Sequence, residues 1–368
     1  MALLVHVIAG RHNDPARSNG ERDMRKQQRM ILDSNLWRYI SDAGASGRLL
    51  RVARHGNVAI QIAPAVMYEA LRLRDTSLRR RLVELMSNRA FQRLMPEAYS
   101  ESMEILDEIK RLHPDWIKTS PELEFFKRSR NDWSRKMGGF WVRCATDPDR
   151  EASFIADFEG SLLEEAGRQI RDARKEMMEL GWKKDQRLDE IRASPPKRWQ
   201  GWNGEPVEAW RLETLVGVTY ALQRPGHPYR DWLAPFIEID GGLLRSPPWV
   251  EFWLHAVERN ALPRQCLRWG HSFSQRFRKV TTGSGGDNQL ITYLMDTDCV
   301  MTADKGFVDI IEACRPYAPH PLPATKLVAG GLTGAETVLE HLETMGPPPE
   351  ESAGARHKTP FRPQLPRS

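Results

Sequence analysis

The stretch from Gly283 to Asp304 constrains this chain more than any other. It runs Gly283-Ser284-Gly285-Gly286-Asp287-Asn288-Gln289-Leu290, stays mostly apolar to Met295, then gives Asp296-Thr297-Asp298 and Cys299-Val300-Met301-Thr302-Ala303-Asp304. The pattern predicts a glycine-rich loop, a helix opening at Asp287, a short turn, and a buried strand over 299–303 that ends on Asp304. A carboxylate in the first turn of a helix is favoured by the helix dipole. A carboxylate at the C-terminal end of a strand in an open α/β sheet lies where such folds place their ligands. Each acid alone has a plainer role, as an N-cap at 287 and a turn residue at 304. Two acids delivered to one edge by different elements would form an oxygen site for a hard cation, so the other acids decide the matter.

The early part of the chain supplies them. Met30-Ile31-Leu32 predicts a short strand that ends on Asp33, with Asp33 or Ser34 capping a helix that runs through Ile40. A polar patch over 41–47 follows. Val58-Ala59-Ile60-Gln61-Ile62 predicts a second strand, closed by Ala63-Pro64 with the proline at the first position of a helix. Apolar residues from Val66 to Leu85 then repeat at helical spacing, predicting one helix over 65–86 with Glu69 about a turn and a half in. A further helix is expected over 101–112, where Met103, Leu106, Ile109 and Leu112 share a face.

Between residues 113 and 280 the character changes. Eleven of the twelve tryptophans lie from Trp116 to Trp269. A long helix over 151–180 carries a continuous apolar stripe, which packs a helical subdomain or, less simply, forms a dimer seam. The loop Arg198-Trp199-Gln200-Gly201-Trp202 could stack on bases, although rings filling a small core are the simpler account. Over 262–280, Leu262, Cys266, Trp269, Phe273 and Phe277 make an apolar stripe. Arg264, Arg268, His271, Arg278 and Lys279 fall largely off it, which predicts an exposed basic face suited to a phosphodiester backbone. A short helix to Cys314 and a last strand near 326–328 complete the pattern.

These readings divide the chain into a flexible leader (1–28), a first α/β part (29–113), a mainly helical insertion (114–280), a second α/β part (281–345) and a disordered Pro- and Arg-rich tail (346–368). With 40% hydrophobic and 28% charged residues the chain can bury a sizeable core. The 54 basic and 49 acidic residues leave +5, which permits a polyanionic partner without demanding one. Cys144, Cys266, Cys299 and Cys314 are too scattered for a zinc site or a disulfide frame. The N-terminal apolar run lacks the features of a signal peptide, and no run spans a bilayer, so a cytoplasmic, non-membrane protein is expected.

Parallel-sheet logic places Asp33 and Asp304 at one C-terminal edge, with Glu69 and Asp287 on helices that approach it. Four clustered carboxylates need a counter-charge. One or two Mg²⁺ or Mn²⁺ ions would supply it, and a metal pair can activate water against a phosphodiester. The glycine run before Asp287 lacks the Gly-Lys-Ser/Thr ending of a nucleotide loop.

The ordered set Ile31-Leu32-Asp33-Ser34-Asn35-Leu36-Trp37, Ala63-Pro64 through Glu69, Gly285-Gly286-Asp287-Asn288-Gln289-Leu290 and Val300-Met301-Thr302-Ala303-Asp304-Lys305-Gly306-Phe307 resembles the PIN-domain nucleases. The resemblance covers about 30–113 and 281–330 and leaves the insertion unmatched. It implies a three-layer α/β/α domain with a central parallel sheet, here carrying a Trp-rich helical insertion. It implies that Asp33, Glu69, Asp287 and Asp304 bind the metal and carry catalysis, supported by Ser34, Asn35 and Thr302. Members mostly cleave RNA, and many are toxins held by a protein antitoxin, so an endoribonuclease with an antitoxin-like partner is the expectation. The alternative is a non-catalytic nucleic-acid-binding or scaffold protein on a degenerate core of the same kind. A phosphatase of the haloacid-dehalogenase type would need Asp at both positions of Asp-x-Asp after the first strand, and Asn35 stands at the second. Asp296 and Asp298 are assigned to structure, with Asp298 the nearer to an auxiliary role.

Overall fold

The computed structural model describes residues 27–135, 137–179, 187–188, 209–276 and 284–345. Expectations for the leader, the Trp199–Trp202 loop, Phe277, Arg278, Lys279 and the tail lie outside these residues.

The first part of the chain is β1 (Gln28–Leu32), α1 (Ser34–Asp42), α2 (Ser46–His55), β2 (Val58–Ile62), α3 (Pro64–Leu71), α4 (Thr76–Met86), β3 (Gln92–Arg93) and α5 (Glu97–Leu112). Next come α6 (Leu123–Ser134), α7 (Phe140–Thr146), α8 (Pro148–Glu179), α9 (Ala209–Gln223), α10 (Pro228–Leu233), α11 (Gly241–Arg245), α12 (Pro247–Glu251) and α13 (Pro263–Arg276). The last part is α14 (Ser284–Leu290), a 3₁₀ turn (Ile291–Met295), β4 (Cys299–Thr302), α15 (Lys305–Cys314), β5 (Ala324–Leu327) and α16 (Leu332–Thr344).

The strands form one parallel sheet in the order β3-β2-β1-β4-β5. Successive strand residues face opposite sides of a sheet. Met30, Ile31 and Leu32 are consecutive and fully buried, as are Val300, Met301 and Thr302 on β4. Both faces of the sheet's centre are therefore covered, as a parallel sheet flanked by helices requires. The α/β class with a central parallel sheet is as expected.

Several elements differ from the expectation, each for a local reason. The helix expected over 65–86 is two helices, because Asp75 caps α4 by accepting from the Leu78 N–H at 3.0 Å. Apolar spacing continues across the break and hides it. α2 and α16 lie where no helix is expected, and β3 is only two residues long. The described tryptophans of the 114–280 region do fill the interior. Trp141, Trp210, Trp249 and Trp253 are almost fully buried, in the same hydrophobic core as the sheet residues. No helix among the described residues is long and apolar enough to cross a membrane.

Candidate metal centre at the sheet edge

The chain runs outward through β1, β2 and β3, then returns to lay β4 on the other side of β1. Strand order reverses between β1 and β4, and the crevice beyond the C-terminal ends of such strands is where open α/β sheets bind ligands. Asp33 follows β1 directly, and Asp304 lies two residues beyond β4.

Asp33 is only 4% exposed and is held from three sides. Its Oδ1 accepts from the Ser34 backbone N–H at 2.6 Å, while its Oδ2 accepts from the Thr302 hydroxyl at 2.8 Å and from the Asn35 amide at 3.4 Å. Burial pushes the Asp33 carboxyl above the ordinary aspartate range, and the charge of Asp304 adds to the effect, against these hydrogen bonds. Thr302 also accepts from the Asp304 backbone N–H at 2.9 Å, so one buried hydroxyl ties both strand-end acids together. Asp304 in turn caps α15, accepting from the Phe307 N–H at 3.1 Å.

Glu69 reaches the same edge from α3, which packs on α14. The Ser34 hydroxyl hydrogen-bonds it, and Asp33 and Asp304 act on it through space, as does the opposing cation Arg72. Burial is the largest influence and pushes its carboxyl up to about 7. Asp287 arrives from the opposite end of the sequence. Burial, followed by the charges of Asp33, Glu69 and Asp304, pushes its carboxyl up to about 8. None of the groups shifting Asp287 is a cation. The structure thus brings Asp33, Glu69, Asp287 and Asp304 within electrostatic reach of one another, and Ser34, Asn35 and Thr302 hydrogen-bond Asp33.

The donors are carboxylates and hydroxyls, the set preferred by Mg²⁺ or Mn²⁺ over softer metals. Among the described residues, no three His, Cys, Asp or Glu side chains are close enough to hold one ion as they stand. The acids influence one another through space without standing at coordination range. The fit of a metal therefore rests on the chemistry of the donors and on Asp287, which faces three acids and no cation.

Gly286 has a role that its loop-like sequence concealed. A Cβ there would overlap the Glu69 carboxylate oxygen, so the bare backbone is what lets Glu69 lie against α14. The end of a glutamate side chain can swing away, and alanine is the better helix former by up to about 1 kcal/mol. Gly286→Ala should therefore keep or raise thermal stability while displacing Glu69. A loss of roughly ten- to a hundredfold in Mn²⁺ affinity is expected, the usual size for disturbing a ligand's support, and calorimetric titration would measure it.

Among the described residues, the basic face expected at Arg264, Arg268 and His271 is not present. The Arg264 side chain is mostly buried, paired with Glu104 and, at 2.7 Å, with Asp296. Arg268 makes a bidentate pair with fully buried Glu101, at 2.7 and 2.8 Å, and His271 is fully buried. Carboxylates from α5 and from the turn before β4 occupy these cations, so they do not form a surface for phosphate. Asp298 belongs to structure, pairing with Arg29 at 2.8 Å at the N-terminal end of the sheet, away from the acids.

Protein-family models, characterised proteins and solved structures give no match to this chain.

Proposed function

We propose that the protein is a divalent-metal-dependent nuclease, and that its substrate is single-stranded RNA cut internally. The observation that carries this reading is the convergence of Asp33, Glu69, Asp287 and Asp304, from four separate elements, at the strand-order reversal. Acids drawn together away from water are costly, and a fold that needed only packing would gain by replacing Asp287, which no cation faces. The resemblance of the four motifs to PIN-domain nucleases supports the same assignment.

In this reading Asp33 and Asp304 ligate metal directly, and Glu69 and Asp287 complete the shell. When bound, Mg²⁺ or Mn²⁺ would lower the pKa of a water so that, once deprotonated, it can attack a phosphodiester, and would offer positive charge to the leaving oxygen. Thr302 and Ser34 fix the Asp33 carboxylate, so that little reorganisation is needed when phosphate arrives. Glu69 and Asp287, on the two helices that flank this edge, would orient the attacking water.

The spacing of the acids also favours a second reading, a non-catalytic nucleic-acid-binding or scaffold protein that retains the pocket without loading it. Digestion of matched single-stranded RNA and DNA, in Mn²⁺ and in excess EDTA, separates the two. The nuclease reading expects internal cuts in RNA that EDTA abolishes. Intact substrates in Mn²⁺, or cleavage that persists in EDTA, would reject it.

A further inference from the structure

The polar contacts behind Asp287 form a second layer that the four acids do not include. Arg268 on α13 is held by Glu101 through Nε and Nη2, leaving Nη1 to donate to Asn288 Oδ1 at 2.8 Å. Asn288 Nδ2 donates to the Ser272 hydroxyl at 2.6 Å and to the Arg268 carbonyl at 3.4 Å, and lies 3.2 Å from His271 Nδ1. Both ends of the Asn288 amide are thus engaged by α13. Glu101 is itself anchored, accepting from the Tyr229 hydroxyl at 2.6 Å, and that hydroxyl accepts from Gln265 at 3.2 Å.

α14 is only seven residues long and follows Gly283. A helix so short has little stability of its own, and tertiary contacts must hold it. Asn288 is the next residue after Asp287, so the grip of α13 on Asn288 also sets where Asp287 stands relative to Asp33 and Glu69.

We infer that Asn288, clamped by Arg268 and Ser272, is a positioning residue that tunes the divalent-metal affinity of the acid cluster through Asp287. This rests on the metal-centre reading above. The clamp fixes the residue next to Asp287 from both ends of its amide, keeping Asp287 in place for an ion. It also gives the described part of the 114–280 region a task at the site. Arg268 and Ser272 line one cavity with residues of α9 and α10, Tyr229 among them.

The test is Mn²⁺ binding to the full chain by calorimetry, with cleavage measured against Mn²⁺ concentration. Asn288→Ala should weaken Mn²⁺ binding by roughly ten- to a hundredfold, the usual effect of removing a ligand's support. Its maximal cleavage rate should return to within a few fold of wild type at saturating Mn²⁺. Ser272→Ala should show a smaller shift in the same direction, and Ser272→Thr, which keeps the hydroxyl, almost none. Arg268 is left intact because its loss would strand Glu101 and unfold the region. Wild-type Mn²⁺ affinity in a folded Asn288→Ala protein would overturn the clamp and leave the metal centre standing. If Asn288→Ala does not fold, Ser272→Ala against Ser272→Thr decides, and equal affinities overturn the inference. A wild-type chain that binds no Mn²⁺ would overturn the metal centre and the clamp together.

Discussion

Asp287→Asn is expected to lower metal-dependent cleavage by roughly a hundred- to a thousandfold, while raising the melting temperature of the metal-free protein. The activity loss is sized on the removal of one preorganised electrostatic group from an active site. The gain in stability follows from what surrounds the side chain, where burial and three neighbouring acids all disfavour its charge. An acid kept for structure would behave the opposite way and cost stability when neutralised. The pH dependence has a defined sign. In the metal-free fold, Asp287 and Glu69 hold their protons to about 8 and about 7, above their ordinary values of 3.8 and 4.5. Between the ordinary and the raised values the unfolded chain has released protons that the folded chain still binds. Stability should therefore fall as pH rises from about 4 to about 8, then level off. Asp287→Asn should flatten the upper part of that slope. Thermal melts of both proteins across this range, in EDTA, measure it.

Mn²⁺ should stabilise the wild-type protein strongly, and EDTA should reverse the effect. A ligand that binds only the folded state at a hundred times its dissociation constant adds about 2.7 kcal/mol. For a chain of this size that corresponds to a rise of several degrees in melting temperature. The same addition should do almost nothing for Asp33→Asn. Asp33 is the most enclosed of the acids, and its two oxygens are already aimed by Ser34 and Thr302. A scaffold protein that never loads the site would show no shift in either protein.

The site was more legible in the sequence than its surroundings. Asp33 and Asp304 could be placed because a short apolar run ending on an acid, followed by a helix start, fixes both the element and the edge. Glu69 and Asp287 followed from Pro64 as a first helical residue and from the glycine run before Asp287, although α14 already begins at Ser284. What stayed hidden depends on contacts between distant parts of the chain. Spacing alone marked Arg264, Arg268 and His271 as an exposed basic face, whereas His271 is fully buried and both arginines are paired with carboxylates. Nothing local to α13 announces that Glu104, Asp296 and Glu101 come to meet these arginines. Gly286 likewise read as loop freedom, whereas its use is the room it leaves for a carboxylate from α3.

Anomalous diffraction at the manganese edge, from crystals grown with Mn²⁺, tests the central claim most directly. The account expects a peak beyond the ends of β1 and β4, with an Asp33 oxygen about 2.0–2.2 Å away and Asp304, Glu69 or Asp287 drawn in beside it. No peak at saturating Mn²⁺, or a peak elsewhere with the four acids still apart, would contradict it.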